Sequence, residues 1–323
     1  TSGGNEGLRI YSVRLGESRR LAVKAAGGGF VDLQRVYEEW LLESGTCPSR
    51  QGAQALARTI IPTELVGLIE TGKLGAEACQ AAIDFAQGAK SEDGAPWILS
   101  ESSVKIGPPI TAPRKFICIG LNYREHARES NSPIPGEPVF FNKFATSIIG
   151  PYDDVIHQGP SVTEKLDYEV ELGVIIGRTA KNVPAERAEE YIYGYTVVND
   201  ISARDLQKRD GQWVKGKALD TYAPLGPCVV TRGDIDAGNL RLTAKVNGEV
   251  RQDSSTSDMI FPVPELVAYL SRLITLEPGD IISTGTPSGV GGAMNPPKFM
   301  FPGDVVECEV EGIGILRNRI ASA

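Results

Sequence analysis

Two glutamates, Glu169 and Glu171, stand two residues apart in LDYEVELGVIIG, where Tyr168, Val170, Leu172, Val174 and Ile176 take the alternate positions. A period of two marks a strand with one buried apolar face. Both carboxylates then lie on the other face, about 6.6–6.8 Å apart. A solvated outer face is the ordinary meaning of such a strand. Solvated faces usually mix signs, however, and this one holds acids and then glycines. Like charges on one face are unfavourable unless a cation or a proton sits between them.

A third acid, Asp200, follows the apolar run of YGYTVVNDISARDLQ. The S-x-x-D pair Ser202 and Asp205 predicts a capping box and a helix from about Ala203. Asp and Asn also favour turns at such a place for purely local reasons. Three carboxylates with neither histidine nor thiolate are the ligand set of one hard cation, Mg2+ or Mn2+, with positions left for water or substrate. Asp167, one step before the pair, reads as a strand-end residue behind the ligands.

Arg204 and Gln207 are three apart on the expected helix and share a face. Gln207 alone would suit an exposed face, whereas Arg204, beside the carboxylates, suits the acid group of a substrate. In GLNYREHARES, Asn122 and Glu125 predict a capped helix from Tyr123. His126 and Glu129 then fall at i and i+3, within reach of each other. A surface His–Glu pair contributes little, but a carboxylate that orients an imidazole makes a general base able to activate water. The second histidine, His157, reads as structural. WVKGKALDT offers Lys215 or Lys217 to neutralise an anionic intermediate, although loop lysines are usually solvated. ISTGTPSGVGG follows a strand but fits neither GxxxxGK[ST] nor GxGxxG, so it is not a nucleotide loop. Its amides could hold a small carboxylate.

These residues need a scaffold. From Lys115 onward, KFICIG, PVFFNKF, YEVELGVIIG, YGYTVVND, GPCVVTRG, LRLTAKVNGEVRQD, DIISTGTP and DVVECEVEGIGILRNRI are strand-like runs parted by Gly, Pro and Asp. Asn247-Gly248 marks a tight hairpin. Helices are expected after Asn122, over PAERAEEYIYG, after Ser202 and over PELVAYLSRLIT. The pattern is α+β and mainly β, not a doubly wound parallel sheet. Residues 1–112 read as a small N-terminal α/β domain and linker. They hold short strands, a helix over LQRVYEEWLLES, more helical pattern from Ile61 to about Lys90, and a proline-bearing connection. Residues 113–323 read as the catalytic domain.

The 323 residues suffice for both, and 41% apolar with 23% charged residues is ordinary for a globular protein. A net charge of −8 argues against a nucleic-acid footprint. No apolar run reaches the roughly 20 residues that span a bilayer. The opening TSGGNEG reads as an added or frayed end, not a signal peptide. Five cysteines, an odd number with no CxxC pair, argue for a cytoplasmic chain without a disulfide framework or zinc cluster.

Taken in order, GLNYREHARE, LDYEVELGVIIG, GYTVVNDISARDLQ, GKALDT, SDMIFPVPEL and LEPGDIISTGTPSGVG resemble the fumarylacetoacetate hydrolase family, from about Arg114 to the C-terminus. The resemblance implies a mixed β-roll catalytic domain, usually homodimeric, with an extra N-terminal domain as in longer bacterial members. It implies a divalent metal on Glu169, Glu171 and Asp200, a His126–Glu129 pair on a segment that orders over the site, and an active-site lysine at Lys217. By the same resemblance Arg204, Gln207, Gly285 and Thr286 bind substrate. The expected activity is metal-dependent C–C cleavage of a short β-diketo acid, of the acylpyruvate or fumarylpyruvate type. Oxaloacetate decarboxylation or keto–enol tautomerisation would use the same parts. A non-catalytic keto-acid or sugar-acid binding protein is the alternative of another class. A scaffold whose acids are merely solvated is the plainest.

Overall fold

The computed structural model describes residues 8–88, 95–233 and 235–323, so the reading of TSGGNEG falls outside the described residues. Two sheets carry all but two of the strands. The larger runs through Ile98–Leu99, Phe30–Asp32, Ser18–Lys24, Arg9–Leu15, Ala223–Thr231, Ile192–Asn199, Val170–Ile176, Ile281–Ser283, Phe116–Gly120 and Val139–Asn142. Its neighbours are antiparallel apart from Ile281–Ser283 on Phe116–Gly120, and Ile148–Ile149 on Ala223–Thr231. The smaller sheet orders Glu249–Ser255, Arg241–Val246, Val305–Val310, Gly314–Ser322 and Val155–His157. Asn247 and Gly248 both take positive φ (52° and 80°), as the tight hairpin requires. The expected α+β, mainly β architecture is what the chain adopts.

Apolar alternation decides which sheet faces meet. Val170, Leu172, Val174 and Ile176 join Leu242, Val306, Leu316 and Ile320 of the smaller sheet in one core. The opposite face of the large sheet supplies Ile175, Val198, Leu225 and Ile281 to a second core. That core is closed by the helices Leu33–Glu43, Arg50–Ile60, Leu65–Glu70 and Lys73–Gly88. Strand Arg9–Leu15 pairs with Ala223–Thr231, so the N-terminal strands extend the main sheet edgewise.

Several local expectations are corrected. LDYEVELGVIIG is not one strand with one buried face: Leu166–Asp167 pairs with Ser202–Ala203, and Val170–Ile176 is buried throughout. Helices and loops cover the face that carries the acids, which a lone amphipathic pattern cannot reveal. Arg50–Ile60 is a helix that its Gln- and Gly-bearing sequence did not announce. PAERAEEYIYG forms a 3-10 turn over Ala185–Tyr191. The Lys215–Lys217 segment is a single helical turn, Val214–Lys217, not a loop.

Candidate active site

Strand geometry places the first two acids. Glu169 precedes strand Val170–Ile176, and its N–H donates to the Asn199 side chain at 3.0 Å while its carbonyl accepts the Asp200 N–H at 2.9 Å. Asp200 thus stands beside Glu169 because the next strand ends there. One ligand atom from each of Glu169, Glu171 and Asp200 lies within 4.8 Å of the others, and all three residues are buried.

The trio is unevenly compensated. Glu171 Oε2 accepts only neutral donors, Ser283 Oγ at 2.5 Å and the Gly285 N–H at 2.9 Å. Burial, then the charges of Asp200 and Glu169, push its carboxyl well above the usual range. Burial would also raise Glu169, but Lys217 and Arg204 outweigh it and hold that carboxyl at about 2. The Lys217 ammonium lies 2.6 Å from Glu169 Oε2 and 2.8 Å from Asp200 Oδ2. Burial alone would lower Lys217; Asp200 and Glu169 reverse this and raise it. A group of buried acids that keeps one member reluctant to ionise is electrostatically suited to a divalent cation, and its all-oxygen donors suit a hard one.

Arg204 begins the one-turn helix Arg204–Gln207. Its Nη1 meets Glu169 Oε1 at 2.7 Å and donates to Gln207 Oε1 at 3.1 Å. Its Nη2 is buried and has no partner among the described residues. The predicted capping box does not form. Ser202 Oγ donates to the Asp200 carbonyl, and Asp205 accepts from Thr163 Oγ1. Lys215 is exposed and pairs with Asp210, whereas Lys217 is buried beside Glu169 and Asp200.

His126 and Glu129 lie on the helix Arg124–Glu129, where Nδ1 and Oε1 are 2.7 Å apart. The other Glu129 oxygen accepts the Gly289 N–H at 2.8 Å, which ties this helix to the glycine-rich loop. Asn122 does not cap the helix: its side chain bridges backbone groups of Phe261 and Thr284, and Asp258 accepts from the Glu125 N–H instead.

A cavity of about 430 Å³ brings His126, Glu129, Glu169, Glu171, Arg204, Gln207, Lys217 and Thr286 together. Asp200 sits behind Lys217. The loop amides expected to be open for a small carboxylate serve protein carboxylates: Gly285 holds Glu171, Gly289 holds Glu129, and Gly291 with Gly292 holds Asp167. Thr286 Oγ1 donates to the Val170 carbonyl and accepts from Gln252 Nε2.

Two contributors escape the sequence reading. Lys143 is buried, with Nζ 2.7 Å from Asp200 Oδ1, donating to the carbonyls of Ile201, Tyr222 and Lys217. A lysine inside the apolar run PVFFNKF is a signal that could have found it. Trp213 packs on Phe141, at 5.7 Å between centroids, and both line the cavity. A Cβ on Gly120 would fall 2.2 Å from the Trp213 ring, so glycine there makes room for that wall.

Known proteins resemble this chain in sequence and fold. The model of the fumarylacetoacetate (FAA) hydrolase C-terminal region matches residues 115–321. A Bos taurus protein named oxaloacetate tautomerase FAHD2A, mitochondrial, is 46% identical over 226 residues, 69% of this chain and 71% of that protein. A Xenopus laevis protein named oxaloacetate tautomerase fahd2, mitochondrial, is 42% identical over 263 residues, 80% and 79% of the two chains. Among solved structures, fumarylacetoacetate hydrolase from psychrophilic Exiguobacterium antarcticum superposes with a TM-score of 0.76 at 33% identity, covering 98% of this chain and 100% of that one. A 5-carboxymethyl-2-hydroxymuconate delta-isomerase from Mycobacterium smegmatis gives 0.61 at 43% identity, over 70% and 83%. On the family match and on relatives of this identity and coverage, the chain belongs to the fumarylacetoacetate hydrolase family.

Proposed function

We propose that this protein is a divalent-metal-dependent enzyme of short β-keto acids whose reaction is keto–enol tautomerisation of an oxaloacetate-type substrate. One observation carries the reading. Two of three clustered buried carboxylates, Glu169 and Glu171, line a cavity with a half-free arginine, a buried lysine and a histidine oriented by glutamate, while the third, Asp200, meets that lysine from outside the lining. The names of the relatives support oxaloacetate as the substrate.

Glu169, Glu171 and Asp200 would hold one Mg2+ or Mn2+, which supplies Lewis acidity toward a 2-keto carboxylate. Arg204 Nη2 offers its free N–H groups to the substrate carboxylate. With Nδ1 bonded to Glu129, His126 exchanges protons through Nε2. It takes the proton from the carbon next to the keto group and, as imidazolium, gives it back to the keto oxygen to form the enol; the reverse restores the ketone. Lys217 balances the charge that develops on that oxygen. Gln207 and Thr286 line the same cavity and complete the substrate contacts.

The His126–Glu129 pair specifically favours a second reading, hydrolysis of an acylpyruvate. There His126 would take a proton from water, whose oxygen adds to the distal carbonyl. The C–C bond then breaks, its electron pair passing to the pyruvate enolate and then to a proton. Loss of CO2 from oxaloacetate is the third outcome on these parts.

The test follows the ultraviolet absorbance of enol-oxaloacetate, pyruvate release from oxaloacetate, and acetylpyruvate cleavage, with Mg2+ or Mn2+, in wild type and His126→Ala. Metal-dependent loss of the enol signal, faster than either bond cleavage, is expected. Faster acetylpyruvate cleavage, abolished in His126→Ala, would move the assignment to the hydrolase. No turnover of any of them would leave a keto-acid binding protein.

A homodimer is the expected assembly, measurable by light scattering. The cytoplasmic reading rests on five free cysteines, four of them buried, which suit a reducing compartment. Among the described residues, no helix is long and apolar enough to cross a membrane.

A further inference from the structure

Asp167 is fully buried, and both its oxygens are saturated. Oδ1 accepts the N–H groups of Tyr168 at 2.9 Å and Gly291 at 2.8 Å. Oδ2 accepts Arg204 Nε and the Gly292 N–H, each at 2.8 Å. A carboxylate offers about four acceptor directions, so none is left for a metal or a substrate. We propose that Asp167 is a positioning residue: it locks Arg204 to the glycine loop, so that one edge of the guanidinium stays free for the substrate carboxylate. The proposal rests on reading the cavity as a keto-acid site.

The arginine side of this junction is fully determined. Nε is held by Asp167 and Nη1 by Glu169 and Gln207, which leaves Nη2, buried and without a partner, on a residue that lines the cavity. An unrestrained arginine would lose considerable rotamer freedom on binding an anion, whereas a clamped one has already lost it.

The loop side is equally specific. A Cβ at Gly291 would lie 2.1 Å from the Lys298 carbonyl oxygen and 2.8 Å from Asp167 Oδ1. At Gly292 it would lie 3.2 Å from Oδ2. At 291 only glycine lets the backbone approach this closely, and the amides of 291 and 292 close on the carboxylate together. The same loop gives its Gly289 N–H to Glu129, the partner of His126. One buried anion therefore fixes the substrate arginine relative to the loop that steadies the His–Glu pair. Because four donors converge on Asp167, asparagine there would turn an NH2 toward at least one of them despite its equal size.

The test titrates oxalate, a dicarboxylate probe, by calorimetry into Mg2+-saturated wild type, Asp167→Asn, Arg204→Met and the double variant. Asp167→Asn should weaken oxalate at least tenfold, and the double variant should be within twofold of Arg204→Met alone. With oxaloacetate, KM should rise at least tenfold while kcat falls less than threefold, a split that general unfolding does not produce. Gly291→Ala would set a Cβ 2.1 Å from the Lys298 carbonyl oxygen, so its amide must leave the carboxylate without Asp167 being removed, and it should reproduce the oxalate loss even if Asp167→Asn fails to fold. Oxalate affinity within twofold of wild type in Asp167→Asn or Gly291→Ala overturns the inference, as does full additivity in the double variant. Asp167-dependent oxalate binding without turnover of any keto acid would spare it and remove the proposed reaction instead. Wild type that fails to bind oxalate overturns both.

Discussion

Replacing Glu171 by Gln keeps its shape and removes its charge, so it separates the cost of the buried acids from their use. Ser283 Oγ and the Gly285 N–H can still donate to the amide oxygen. In the metal-free wild type the Glu171 carboxyl is raised by burial and by Asp200 and Glu169. Above that raised folded value it is ionised both folded and unfolded, and burying its charge destabilises the fold. As pH falls through the raised value, proton uptake removes the penalty. Metal-free wild type should therefore melt higher as pH is lowered from alkaline values, whereas metal-free Glu171→Gln should melt above wild type at alkaline pH and lack that rise. Glu169 acts oppositely: held at about 2, it contributes stability above its ordinary value that is lost only as pH falls toward 2.

Metal reverses the ranking. At one hundred times Kd, a ligand confined to the folded state adds about 2.7 kcal/mol. With an unfolding entropy of about 2.1 cal/mol/K per residue, a chain of this length unfolds with about 0.7 kcal/mol/K, so Tm should rise by about 4 °C. A hundredfold loss of affinity in Glu171→Gln would leave about 0.4 kcal/mol at the same metal concentration, well under 1 °C. Differential scanning calorimetry with chelator and with Mg2+ or Mn2+ measures both effects. A full metal shift in the variant, or a metal-free variant that melts below wild type at alkaline pH, would refute the account of the trio.

Other consequences are equally concrete. Below the raised Glu171 value, metal binding should release protons from that carboxyl, seen as a dependence of the calorimetric heat on buffer ionisation enthalpy, and metal affinity should weaken as pH is lowered. Lys143→Met leaves Asp200 Oδ1 and three carbonyls without their ammonium. Breaking such a buried pair costs about 3–5 kcal/mol, so metal-free Tm should drop by roughly 4–7 °C; a drop under 1 °C would show the contact to be inert. Gly289→Ala would set a Cβ 2.0 Å from the Arg251 carbonyl oxygen at a φ of +101°. Displacing that amide from Glu129 should lower kcat at least tenfold, and unchanged kinetics would dissociate the loop from the His–Glu pair.

What the chain discloses beforehand divides along a physical line. Period-two alternation exposed the Glu169–Glu171 face because both residues obey one local geometry. Asp200 followed because its strand ends where a turn must begin. Residues whose roles depend on distant partners were misread in a consistent direction. Ser202, Asp205 and Asn122 have the chemistry of helix caps, yet Ser202 turns back to the Asp200 carbonyl, and Asp205 and Asn122 spend their side chains on tertiary contacts with Thr163, Phe261 and Thr284. Lys143 goes unnoticed in PVFFNKF, since nothing near it in sequence supplies the oxygens that hold it. Asp167 shows the limit most clearly. Its place one step before the acidic pair separates it from the ligand role, but its function lies in Gly291 and Gly292, more than 120 positions away. Local pattern thus identifies the groups that could meet substrate or metal. The groups that aim them become visible only when the loop folds back over the sheet.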